Sequence, residues 1–215
     1  LLTILLIASY IFTIKTYEPV PNIMITGGIL MYPFTFLIVA YISKYYGFKE
    51  SRKSIFLSSL LFVLFIGIVM VGVLPTANNE TTGYNTVIQY LFTNDFFTIG
   101  EFRIYHPLLG QFFGTIIAFI VSHLLYATVY NAISNLTVDY LAMGLSMFIG
   151  SIVDRILFMT MLFAKNLMDG VNTFDFFLKC LTSEFIGAIV TALIIVILYI
   201  ILTGILEARK KRQLA

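Results

Sequence analysis

Four ionisable residues lie within or beside long apolar stretches, where charged side chains are rare. Asp154 and Arg155 interrupt one stretch, and Lys179 and Glu184 lie near the start of the next. Charged groups inside a bilayer are costly unless they are paired or hydrated, which makes them candidates for contacts with a polar substrate or ion. The same residues also suit two structural pairs, Asp154 with Lys179 and Arg155 with Glu184. The sequence leaves both readings open.

Other residue patterns that could do chemistry are sparse. His123 lies in an apolar stretch, where a hydrogen-bonded core histidine is commoner than a proton relay. The sequence contains no His-Glu-x-x-His, no Gly-x-Ser-x-Gly and no Cys/His metal cluster. It also lacks a phosphate-binding loop, so uphill transport would need an ion gradient or a separate ATPase. We therefore predict no catalytic residue, metal site or cofactor, and no enzyme activity.

The composition places these residues in a membrane protein. Of the 215 residues, 60% are hydrophobic and 11% charged, and the mean hydropathy is +0.97. Soluble domains are about half apolar and about a quarter charged. Thirteen Lys and Arg against eleven Asp and Glu give a net charge of only +2, which disfavours nucleic-acid binding. The single cysteine, Cys180, excludes a disulfide scaffold.

Long charge-free runs predict the membrane crossings, because a helix needs about 20 apolar residues to span the hydrocarbon core. We predict an all-α, polytopic membrane protein with one transmembrane domain over residues 1–215. Since the chain starts at Leu1 rather than Met, we expect the first helix to be clipped. The six helices are placed at about 1–15, 20–45, 54–75, 107–133, 139–164 and 176–206.

The distribution of basic residues predicts the orientation. Eight of them lie between helices two and three and at the chain end: Lys44, Lys49, Arg52, Lys53, Arg209, Lys210, Lys211 and Arg212. Six crossings put both places on one side, which the positive-inside rule assigns to the cytoplasm. Both termini are therefore predicted to be cytoplasmic. Asp154, Arg155 and Glu184 then share a depth of roughly 12 to 15 Å below the outer surface, at 1.5 Å per residue.

One long connection, over residues 76–106, is external in this topology. It begins with the turn-forming residues Thr-Ala-Asn-Asn-Glu-Thr-Thr-Gly at 76–83. Residues 84–97 could form an amphipathic helix that either lies at the membrane interface or covers the domain as a lid. We favour the interfacial helix.

Several motifs resemble a known transporter family. Tyr-Pro-Phe-Thr-Phe at 32–36 and Tyr-Gly-Phe-Lys at 46–49 resemble the Phe-Pro-x-Thr-Phe and Tyr-Gly-x-Lys signature of the vitamin-uptake (VUT) family of queuosine-precursor transporters. The segment Gly-Ser-Ile-Val-Asp-Arg-Ile-Leu-Phe at 150–158 is similar to the family's Gly-x-x-x-Asp-x-x-x-Phe helix. Lys179 falls where the last helix of the family carries a lysine, and Arg103 resembles the arginine before its fourth span.

The resemblance implies a six-helix fold related to the substrate-binding (S) subunits of energy-coupling-factor importers. It also implies uptake of 7-deazaguanine bases or similar small heterocycles, with Asp154, Lys179 and Arg103 as substrate contacts. A carboxylate suits this role because it can accept two hydrogen bonds from a guanine-like edge. Glu184 and Arg155 complete the predicted substrate-binding set, in a cavity between helices two, four, five and six.

We therefore predict a multi-pass transporter in the bacterial plasma membrane that imports a small heterocycle, a queuosine precursor or a vitamin-like compound. The first alternative is an S subunit of an energy-coupling-factor vitamin importer, which would work with a separate ATPase and coupling module. The second alternative is a non-transporting membrane scaffold whose charged helices contact a partner, and a membrane enzyme ranks third. The predicted partners are a small-molecule substrate and the lipid bilayer, not nucleic acid.

Overall fold

The computed structural model describes residues 1–13, 16–20, 23–73, 96–99, 102–105, 107–168 and 174–214. Helices dominate this part of the chain, together with two short antiparallel hairpins, β1–β2 and β3–β4. A 3-10 helix, η1, spans Gly27–Leu30. The strands are β1 Thr16–Val20, β2 Ile23–Thr26, β3 Phe96–Ile99 and β4 Phe102–Tyr105. The α-helices are α1 Leu2–Thr13, α2 Pro33–Tyr46, α3 Phe48–Val73, α4 Pro107–Ile133, α5 Asp139–Met168 and α6 Phe174–Leu214.

Five helical segments of the described residues are long and apolar enough to cross a bilayer, and the apolar helix α1 is shorter. These segments are Gly27–Tyr46, Phe48–Val69, Gln111–Ile133, Asp139–Ala164 and Phe174–Leu206. Many large apolar side chains on them are exposed, as expected for surfaces that face lipid tails rather than water. The predicted class, an all-α polytopic membrane protein, is confirmed.

The second predicted helix, at 20–45, has the wrong start. Residues 16–26 instead form the β1–β2 hairpin, in which Thr16 pairs with Thr26, and η1 follows. The helix begins at Pro33, because the first turn of a helix is where the missing N–H of proline costs least. Its other end is at Gly47, whose φ of 87° ends α2 and lets α3 begin at the next residue.

Close packing between α4 and α5 forms the most extensive helix–helix contact in the described structure. The two helices approach each other closely at Gly114. A Cβ at Gly114 would lie 3.2 Å from the Cβ of Met161. Next to this contact, α2, α3 and α1 enclose an aromatic core, in which Tyr10 and Phe62 pack edge to face at 5.3 Å. This core holds α1 and α2 beside α4 and α5.

The long connection predicted at 76–106 is described only near its end. Residues 74–95, and with them most of the predicted interfacial helix at 84–97, lie outside the described residues. Phe96 and Phe97 belong instead to strand β3, which pairs with β4. Strand β4 lies against α5 and leads towards α4.

A single carboxylate joins four helices at one end of the bundle. Asp139, the first residue of α5, lies 2.9 Å from Lys44 Nζ of α2 and accepts a hydrogen bond of 2.6 Å from Tyr199 of α6. Tyr130 of α4 donates to its other oxygen. We call Lys44, Tyr130, Asp139 and Tyr199 the terminal cluster. It fixes the relative positions of these four helices at this level of the bundle.

Candidate functional site

A second polar cluster lies deep among the helices. Asp154 and Arg155 of α5 and Glu184 of α6 are only 2%, 6% and 1% exposed. Together with Tyr32, which precedes α2, and Ser122 of α4, they form what we call the central cluster. The prediction that the three charged residues share a depth is confirmed, since they are in direct contact.

Asp154 is held by hydroxyl groups from two neighbouring elements. Tyr32 donates a hydrogen bond to its Oδ1, and Ser122 donates to the same oxygen at 3.3 Å. Gly150, one turn earlier on α5, lets α4 come this close, because a Cβ there would lie 3.2 Å from the Ser122 carbonyl oxygen. The ring of Phe36 fills the rest of that space, so Gly150 serves helix packing rather than leaving room beside the carboxylate.

Arg155 and Glu184 form a buried ion pair, as one of the two sequence readings predicted. Arg155 Nη1 donates to Glu184 Oε2 at 3.0 Å, and the backbone N–H of Thr26 donates to Oε1 at 2.6 Å. The guanidinium also lies over the ring of Tyr32, 5.3 Å from its centroid. Glu184 therefore ties α5 and α6 to the end of the β1–β2 hairpin.

A small cavity adjoins Asp154 and Arg155. Its volume is about 20 Å³, which is enough for about one water molecule. Hydroxyl side chains supply much of its lining, and α1 contributes two of them. The prediction had placed helix six, not helix one, at the cavity. The lining residues are Ser9, Thr13, Tyr32, Thr115, Ala118, Asp154, Arg155 and Phe158.

A larger cavity, of about 240 Å³, lies between α5 and α6. The surface that it exposes is apolar, with Phe148, Ile152 and Phe185 among its lining residues. A polar heterocycle would lose its hydrogen bonds to water there without replacing them, at a cost of about 1 to 3 kcal/mol per group. The polar cavity beside Asp154 is therefore the candidate binding site.

Comparison with protein-family models decides which kind of protein carries this site. A family model described as "Putative vitamin uptake transporter" matches residues 26–205. This chain belongs to the vitamin uptake transporter family. No curated protein and no solved structure matches it. Membership of this transporter family agrees with the five apolar spans and identifies a multi-pass membrane protein that takes up a small molecule.

The central cluster of this transporter contains three of the five residues predicted to bind substrate. Lys179 lies on the exposed side of α6, five residues before Glu184. Arg103 lies in β4, paired with Thr98, and its side chain is outside the described part of the structure. The roles of all five as substrate contacts stay predictions.

His123 of the transporter is a buried, hydrogen-bonded residue, as predicted. Its Nε2 lies 2.7 Å from Thr35 Oγ1, and its Nδ1 lies 3.0 Å from the Phe119 carbonyl oxygen. The imidazole stacks on Phe36, with the ring centroids 4.1 Å apart. Ser122, which bonds Asp154, also contacts Nδ1 at 3.1 Å. His123 thus contacts the central cluster through Ser122.

Sequence reasoning missed the hydroxyl groups around Asp154. Tyr32 opens the Tyr-Pro-Phe-Thr-Phe segment at 32–36 and Ser122 is adjacent to His123, but neither position indicates a contact with Asp154. Ser9 and Thr13 on α1 carried a usable signal, since residues four apart share one helix face and point together towards a neighbour. Serine and threonine are common in apolar helices, however, so the spacing alone could not show that this face lines the cavity beside Asp154.

Proposed function

We propose that this transporter imports a small heterocycle, a 7-deazaguanine-type queuosine precursor or a related vitamin-like compound, and binds it at Asp154. The observation that carries the proposal is a buried carboxylate beside a polar cavity, in a chain of the vitamin uptake transporter family. The sequence resemblance supports the substrate class, and the contacts of Asp154 support the binding site.

Each member of the central cluster suits a part in binding. The Asp154 carboxylate can accept hydrogen bonds from ring and amino N–H groups, and such charge-assisted bonds are short and strong. Substrate would replace the hydroxyl groups of Tyr32 and Ser122 at this oxygen. Arg155 can donate to a carbonyl oxygen of the substrate, while Glu184 holds the guanidinium in place.

The size of the cavity indicates that binding requires a second conformation. Space for about one water molecule cannot hold a heterocycle, so the helices around Asp154 must separate to admit substrate. In our proposal, substrate favours the open arrangement because its contacts with Asp154 exist only there. The α1 side is suited to move, because α1 faces α5 across the cavity with the short side chains of Ser9 and Thr13.

Thermal stability of the purified chain in detergent tests the substrate class and the site together. A ligand that binds the folded state at 100 times its Kd stabilises it by about 2.7 kcal/mol. We expect one compound in a panel of 7-deazaguanines, purines and vitamins to raise Tm, and Asp154→Ala to abolish that shift. Asp175→Ala, at an exposed acid in the first turn of α6, is the matched control.

Uptake into liposomes then distinguishes the transporter from its alternatives. The proposal expects the purified chain alone to move the stabilising compound across the bilayer. Binding without uptake would favour the S-subunit alternative, which needs a separate ATPase. If no compound in the panel shifts Tm, or if Asp154→Ala binds like the wild type, the proposal is wrong.

A further inference from the structure

The central cluster has an excess of one negative charge. Asp154, Arg155 and Glu184 are the buried charged side chains in the part of the chain that the structure describes, and two of them are acids. Removing an uncompensated charge from water costs several kcal/mol even after the protein relaxes. Lipid tails around the protein do not lower this cost, because they cannot solvate a charge. One additional positive charge would make the cluster neutral.

The contacts show which carboxylate is less closely paired with a positive charge. Both oxygens of Glu184 are engaged, one of them by the Arg155 guanidinium at 3.0 Å. Asp154 instead accepts hydrogen bonds from the uncharged hydroxyls of Tyr32 and Ser122. Its Oδ2 lies 3.6 Å from Arg155 Nε, which is too long for a hydrogen bond. Asp154 is therefore the less compensated acid, and it lines the cavity.

An independent observation points to a ligand at the same place. Arg155 lines the cavity too, and its Nε–H is buried without a hydrogen-bond partner. A buried donor without an acceptor is rare and costly. A ligand that offers an acceptor beside a positive charge would satisfy Arg155 and Asp154 at once.

We propose that the transporter selects heterocycles that carry one positive charge, such as a protonated amine or amidine, near a carbonyl or ring-nitrogen acceptor. This inference rests on the proposed function, because it names the charge of the substrate bound at that site. The cation pairs with Asp154, and the acceptor receives the Nε–H of Arg155. A neutral analogue leaves the excess negative charge uncompensated and binds more weakly.

A proton competes with the substrate cation for Asp154. The titratable or charged groups around this carboxyl are Tyr32 before α2, His123 of α4, Arg155 of α5 and Glu184 of α6. Protonation of Asp154 removes the negative charge that attracts a cation. Affinity for a cationic substrate therefore falls as the pH is lowered, and it falls more steeply than affinity for a neutral analogue, which loses only charge-assisted hydrogen bonds to the carboxylate.

Two probes that share one ring system test the proposal. 7-Aminomethyl-7-deazaguanine is a cation at neutral pH, and 7-cyano-7-deazaguanine is neutral. We expect calorimetry on the full chain in detergent to give about tenfold tighter binding of the cation, or about 1.4 kcal/mol. Asp154→Asn keeps the shape of the side chain without its charge and should abolish the preference. The control Asp175→Asn, at an exposed acid, should retain it.

The possible outcomes separate this inference from the proposed function. Equal affinity of the wild type for both probes overturns the charge selectivity but leaves heterocycle binding intact. A preference that persists in Asp154→Asn overturns the assignment to Asp154. A preference that arises only in Lys179→Gln shows that Lys179 supplies the compensating charge, which also overturns the inference. If neither probe binds, the inference is overturned and the 7-deazaguanine assignment within the proposed function fails with it.

Discussion

At the scale of single residues, Arg155 supplies the positive charge that stabilises the buried carboxylates of Asp154 and Glu184. Removing one partner of a buried pair costs about 3 to 5 kcal/mol, because the remaining charge is left without compensation. We therefore expect Arg155→Met to lower the free energy of unfolding in detergent by at least this amount. Adding Glu184→Gln to Arg155→Met should recover part of the lost free energy of unfolding, since it removes one of the two carboxylates left without Arg155.

A matched control for this prediction is Lys53→Met. The pair that Lys53 forms with Glu50 is exposed at both ends, and such pairs are worth about 0 to 1 kcal/mol. Similar losses from Arg155→Met and Lys53→Met would contradict the prediction. So would a double variant at Arg155 and Glu184 that is no more stable than Arg155→Met alone.

The sequence predicted the charged members of the central cluster better than their arrangement. Apolar flanks made Asp154, Arg155 and Glu184 conspicuous, because a charge at membrane depth is rare enough to be informative. The Arg155–Glu184 pair followed from their shared depth. The contact between Asp154 and Tyr32 did not, because it depends on the chain turning at residues 31–32 before α2 begins. No local pattern indicates which helix face a tyrosine will meet.

At the scale of the helices, the terminal cluster links α2, α4, α5 and α6 through one carboxylate. Asp139→Asn removes the ion pair with Lys44 and weakens the hydrogen bonds from Tyr130 and Tyr199. Hydrogen bonds to a charged group contribute about 1.5 to 3 kcal/mol each. Because Asp139 is partly exposed, we expect a total loss of about 1 to 3 kcal/mol, measured as a lower Tm in detergent.

Asp175→Asn provides the comparison for this prediction, since it makes the same chemical change at an exposed helix start. We expect its Tm to stay close to that of the wild type. A wild-type Tm for Asp139→Asn would mean that the four helices are held together at this level by apolar packing alone.

Hydropathy predicted which segments cross the membrane but not where each helix begins. The apolar run at 19–43 includes strand β2, the 3-10 helix η1 and most of α2. All three are apolar, as expected for segments that enter the membrane. A segment at membrane depth does not need an α-helical backbone where it is covered by protein. Pro33 is the local signal for the start of α2, since proline is favoured in the first turn of a helix.

At the scale of the whole molecule, the two polar clusters lie at different levels of one helical bundle. Asp139 and Asp154 on α5 are 15 residues apart, and so are Tyr199 and Glu184 on α6, which gives about 22 Å in each case. Apolar core residues fill the space between the two levels. An opening at the central cluster can therefore leave the terminal cluster closed, which is the geometry that alternating access requires.

The orientation of the bundle fixes which cluster faces the outside, and the distribution of basic residues predicts it. In a Cys180→Ser background, single cysteines replacing Glu50 and Asp175 report on opposite membrane faces, because both positions are exposed at helix starts. The positive-inside rule predicts that a membrane-impermeant maleimide labels Asp175→Cys on intact cells, whereas Glu50→Cys is labelled only after lysis. The reverse pattern would place the central cluster nearer the cytoplasm and would contradict the predicted orientation.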